Sequence, residues 1–119
     1  MSAKFEMNQK PFGMEILWAE TESYIGKCIY LNPGEILGLR YHKKNYFTIY
    51  SLTGGLRVWK SSSSKDFIDL EPGKSFHGEP MKMFRMSVPE GQDYPTVFVQ
   101  VSTNFPEDLI TVEKKVHCS

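Results

Sequence analysis

Arg40 and His42 stand two residues apart in the segment "LGLRYH". Successive side chains of a β-strand alternate faces, so on a strand this pair points one way. Two imidazoles at that spacing would aim at one metal ion. A carboxylate from the next strand and a third imidazole from a distant one would complete the shell. Here the first of the two positions is a guanidinium, a permanent cation with no lone pair for a metal. The pair supports a different chemistry. His42 can carry a proton near neutral pH, as a catalytic acid or base or as a structural hydrogen-bonder. Arg40 can hold a carboxylate or a phosphate. Gln100, in "FVQVST", can hydrogen-bond Arg40 or a sugar hydroxyl if it faces the same interior.

The elements that must position these residues are short and β-like. No helical period is sustained anywhere. Apolar-alternating runs recur instead: "MEILWAET", "KCIYLNPG", "LGLRYH", "FTIYSLTGG", "LRVWK", "DFIDLEPG", "FRMSVPEG" and "TVFVQVST". Eight such runs, punctuated by Gly, Pro, Asn and Ser, predict an all-β sandwich or barrel. "NPG" at 32–34 and "EPG" at 71–73 have the order of a type II turn, and "TGG" at 53–55 supplies the positive φ of a tight hairpin. "SSSSK" at 61–65 reads as a flexible, solvated hairpin tip. The tail "FPEDLITVEKKV" fits either one helical turn or a last edge strand. Leu56 and Val58 alternate with Trp59, which places that tryptophan on the barrel exterior and suggests a dimer face there. Trp18 fits the same face or the core.

The bulk properties exclude several functions. The chain has 119 residues, enough for one domain, with 14 acidic and 14 basic residues. A net charge near zero gives no field to draw in nucleic acid or a membrane surface. No apolar run reaches the roughly 20 residues of a membrane span, and "MSAKFEMNQKPFG" has no apolar signal-type segment. A cytoplasmic location is the resulting expectation. Cys28 sits in an apolar strand pattern and Cys118 near the end of the chain, so a cysteine zinc site is not expected.

The spacing around Arg40 and His42 resembles the first motif of the cupin superfamily. There a glycine is followed after five residues by His-x-His, then by a glutamate, then by a second glycine. Gly34 and Gly54 fit the two glycines. The ligand positions fall on Arg40, His42 and Phe47. "LEPGKSFHGEPMKMFRMSV" resembles the second motif of the mannose-6-phosphate isomerase-like cupins. One register puts its ligand histidine at Phe84; the alternative makes His77 the ligand. "KPFGMEILWAE" and "FVQVSTNFPEDLITVEK" resemble the opening and closing segments of that group.

The resemblance implies a single cupin-type jelly-roll barrel over residues 1–119, with a core at about 10–115 and loose termini at 1–9 and 116–119. It implies a degenerate metal site, since one of four ligand positions keeps a donor, and hence no metal and no cofactor. Phe47 and Phe84 are expected to fill the volume of the ion and its ligands. Two readings follow for Arg40, His42 and Gln100. Either they form a self-satisfied polar plug, or they line a retained pocket for a sugar or sugar phosphate. In function these correspond to a homodimeric binding or structural barrel. The alternative is a metal-independent sugar isomerase or epimerase using His42 as acid and base. Such enzymes hold the histidine with a carboxylate, and spacing assigns none to His42.

Overall fold

The computed structural model describes residues 6–60 and 65–112. Eleven strands and no helix make up the described chain: β1 (Glu6–Lys10), β2 (Gly13–Glu20), β3 (Tyr24–Leu31), β4 (Arg40–His42), β5 (Phe47–Ser51), β6 (Leu56–Trp59), β7 (Phe67–Leu70), β8 (Ser75–Gly78), β9 (Arg85–Ser87), β10 (Thr96–Thr103) and β11 (Leu109–Thr111). All strand pairings are antiparallel. One sheet runs β1-β2-β3-β10-β5-β8. The facing layer is built from β7-β6-β9 and from β11-β4, stitched together where residues 36–40 pair with 84–87. The result is a single β-sandwich closed into a small barrel.

Alternation explains the core. Phe47, Ile49, Leu56, Val58, Leu70 and Phe98 point inward from their strands, and their neighbours in sequence point out. Pro and Gly set the turns. Gly34 and Gly54 both have φ near +80°, the left-handed region that costs a side-chain-bearing residue most, so the two motif glycines are required by the backbone. Ser51 and Thr96 are fully buried beside the second of these turns. The Ser51 hydroxyl accepts from Gly54 N and donates to Leu70 O, and the Thr96 hydroxyl donates to Gly54 O.

The structure corrects several expectations. Residues 6–10 are not a loose terminus: they form β1, paired along its length with β2. β8 was also not anticipated. The tail resolves in favour of an edge strand, with β11 paired to β4. Trp59 does lie outside the barrel, while Trp18 stands on the outer face at a bulge of β2. The expectations for residues 1–5, 61–64 and 116–119, and for Cys118, lie outside the described residues.

Candidate functional site

The site lies where β4, β5 and β9 approach one another inside the barrel. Arg40 and Phe84 face each other across a bridge, with Arg40 N donating to Phe84 O at 3.0 Å and Phe84 N to Arg40 O at 2.8 Å. β5 brings in Phe47. The ring centroids of Phe47 and Phe84 are 4.9 Å apart, those of His42 and Phe47 5.3 Å, and His42 stacks on Phe84 at 5.9 Å. Positions 40, 42, 47 and 84 therefore converge on one wall. His77 does not join them. It is exposed on the outer face of the large sheet, where Thr48 Oγ1 lies 3.0 Å from its Nδ1 and Tyr46 stacks on it.

Of the four converging side chains, one imidazole has a lone pair for a metal. Among the described residues no three His, Cys, Asp or Glu side chains come together to hold an ion. The residues present do not fit the metal that the cupin resemblance brings to mind.

The two phenylalanines do not fill the lumen. A cavity of about 390 Å³ remains beside Phe84, with Arg40 and His42 on the same side and Lys27, Phe98 and Gln100 on the other. That volume falls within the range of small-molecule sites. The polar plug does not form, because no hydrogen bond joins Arg40, His42 and Gln100 to one another. Arg40 Nε donates to Gly38 O at 2.9 Å. Among the described residues no carboxylate lies within ion-pairing distance of its guanidinium. Burial pulls its pKa below the ordinary value, because the cation has shed water without gaining a counter-charge. Lys27, across the cavity, is paired to Glu15 at 3.4 Å.

A carboxylate for His42 exists after all. Asp108 Oδ2 stands 3.9 Å from His42 Nδ1, and that nitrogen is buried without a hydrogen bond. The pairing of Leu109 with His42 brings Asp108 there. Asp108 Oδ2 also accepts from the backbone N–H groups of Lys44 and Asn45, both at 2.8 Å. Asn45 in turn clamps the strap after β10. Its Nδ2 donates to Phe105 O, and its Oδ1 accepts from Phe105 N and Thr103 Oγ1. Loss of water opposes ionisation of Asp108, but the two amides, His42 and Lys43 outweigh it and hold the carboxyl below its usual range.

The His42 pKa is lowered. Burial is the main cause, Asp108 pulls the other way, and Arg40 and Lys27 add to the lowering. The site therefore favours the neutral imidazole. The sign of the linkage follows. Below the ordinary value of 6.5 the unfolded chain takes up this proton before the folded chain does, so stability falls as the pH drops through that window. The Asp108 contribution is lost only at more acid pH, as the pH falls through its depressed carboxyl pKa. Urea unfolding of the native chain should thus lose stability as the pH drops below about 6.5, and His42→Gln should lose distinctly less. Parallel curves for the two proteins would show that His42 is not held neutral by its site.

No protein-family model matches the sequence, and no curated protein matches it. Solved structures do match in shape. An RmlC-like cupin from Shewanella frigidimarina superposes with a TM-score of 0.72 at 14% identity, covering 87% of each chain. The polyketide cyclase RemF from Streptomyces resistomycificus gives 0.74 at 13% identity, covering 93% of this chain and 80% of its own. The Streptomyces protein PAC13, solved with uridine, gives 0.74 at 12% identity over 94% and 87%. At these identities the likeness concerns architecture alone. The chain is a small single-domain β-barrel with the cupin fold.

Proposed function

We propose that the barrel binds a small polyhydroxylated anion in its lumen, of the class of sugars bearing a phosphate or carboxylate. The observation that carries this reading is the Arg40 guanidinium, half-buried beside a cavity of about 390 Å³ with no carboxylate partner among the described residues. A buried cation calls for a counter-charge, and an anionic ligand supplies it with charge-assisted hydrogen bonds. Phe84 and Phe98 offer apolar surface to a sugar ring, while Gln100 and Lys27 offer hydrogen bonds to its hydroxyls. PAC13 was solved with uridine, a ribose-bearing molecule, which supports a sugar-sized occupant for a barrel of this fold. A thermal-shift panel on the full chain tests the reading. Hexose phosphates or uridine nucleotides should raise the melting temperature, and the parent hexoses should not. A panel in which no anionic member stabilises the protein removes the proposal.

A second reading, metal-independent proton transfer on a bound sugar, is favoured by the approach of Asp108 to His42. A neutral imidazole with Nδ1 turned to a carboxylate leaves Nε2 free to take a proton from a substrate. Among the described residues that line the cavity there is no tyrosine to act as the opposing acid. His42→Ala should abolish turnover of any substrate found while leaving ligand-induced stabilisation in place; turnover that survives the change ends this reading.

A further inference from the structure

The strand register sorts the cavity into two unlike ends. Along β3 the inward side chains run Leu31, Ile29, Lys27. On β10 Phe98 lies opposite Ile29, and Gln100 lies opposite Lys27. The lining thus changes from apolar to polar within one step of two residues, about 7 Å. The facing layer changes in the same way. Arg40 bridges Phe84, and two residues beyond Phe84 stands Met86, whose carbonyl accepts from Leu37 N at 2.9 Å. The turn at 32–34 gathers the apolar ends of both layers. It joins Leu31 to the segment that carries Leu37, and Asn32 N donates to Phe12 O at 2.9 Å.

Phe12, Ile29, Leu31, Leu37, Met86 and Phe98 therefore line one apolar end of the cavity. Phe12 and Leu37 pack against the buried core yet stay half-buried themselves. Of the charged side chains in the nearby lining, Glu15 is tied to Lys27 at 3.4 Å, and Lys10 is exposed on the edge strand β1. A sugar hydroxyl seated against these six side chains would give up water and gain no side-chain hydrogen bond. An apolar group there would lose nothing and leave water.

We propose that the ligand is an amphipathic anion: a sugar phosphate or sugar acid that carries a short apolar group, with its charged end at Arg40 and the apolar group against Leu37 and Met86. This ligand class rests on the anion-binding reading of the same cavity and adds the chemistry of its far end. The two ends contribute separately. Arg40 orients the anion through charge-assisted hydrogen bonds. The apolar end adds affinity that grows with the area removed from water.

Calorimetric titration of the full chain with alkyl β-D-glucoside 6-phosphates, methyl through butyl, tests the proposal. Each added methylene should tighten binding about threefold, which makes about 30-fold across the series. Arg40→Met should weaken every member by a similar factor and keep the trend with chain length, because the two contacts lie at opposite ends of the ligand. Leu37→Gln should flatten the trend, and Leu37→Ala, which brings in no polar group, should reduce it. A native chain that binds every member alike, or the longer ones more weakly, would overturn the apolar end while leaving the anion reading in place. A trend undiminished in both Leu37 variants, each with its melting transition intact, would overturn it as well. Binding by no member would remove the anion reading, and this ligand class with it.

Discussion

Arg40→Met should weaken binding of a hexose phosphate by about 10- to 100-fold, with the protein otherwise intact. A hydrogen bond to a charged group contributes about 1.5–3 kcal/mol, and each 1.4 kcal/mol is a factor of ten in affinity. Methionine keeps the apolar stem and most of the volume and removes only the fork of donors. The free protein should not suffer from the loss. The guanidinium is desolvated, receives one carbonyl through Nε and faces no carboxylate among the described residues, so its burial opposes folding. The melting temperature without ligand should be equal or higher, and the ligand-induced rise should disappear. Arg40→Lys should fall between the two, since it keeps the charge and loses the planar fork. Undiminished affinity in Arg40→Met, measured by calorimetry, would move the anion contact elsewhere.

The triple variant Arg40→His, Phe47→Glu, Phe84→His should take up about one equivalent of a divalent transition metal, where the native wall offers a single imidazole as donor. The native wall fails for want of donors, not for want of geometry. His42 lies within 5.3 Å of Phe47 and 5.9 Å of Phe84, ring to ring, and Arg40 pairs with Phe84 through the backbone. Three imidazoles and a carboxylate at these positions make a chemically complete set. The apo variant should be weak. Phe47 is almost wholly buried in the core, and placing a carboxyl there without a partner should cost about 3 kcal/mol or more. Added metal should restore the melting temperature and a chelator should remove the gain, because metal binding is coupled to folding. A folded triple variant that retains no metal would mean that the four positions do not converge.

The fold was legible because alternation and turn chemistry agreed along most of the chain. "TVFVQVST" has one buried side and one open side, and it became the eight-residue strand at the centre of the large sheet. Where alternation is absent, the strand was missed. "EMNQK" has Met7 as its one apolar residue and is exposed nearly throughout, as an edge strand can be, and β8 presents a single apolar side chain in "SFHG". The gathering of Arg40, His42, Phe47 and Phe84 follows from motif spacing. Gln100 follows from strand parity.

Asp108 could not be found this way. It lies 66 residues from His42 and reaches it only because β11 pairs with β4, a register set by tertiary packing. The one signal was a turn at "KKN" with amides to satisfy and an aspartate ahead of a short apolar run. Lys27 and Glu15 were hidden for a related reason. Both sit in apolar-alternating strands, and spacing alone does not tell a lumen-facing ion pair from a solvated one.

The central claim is that this lumen is an open, anion-receiving cavity. NMR titration of the full native chain with a hexose 6-phosphate tests it directly. The account predicts saturable chemical-shift changes concentrated at Lys27, Arg40, His42, Gln100 and the strap around Asp108, with the parent hexose giving far weaker ones. Perturbations confined to the outer surfaces, or none at millimolar ligand, would contradict it.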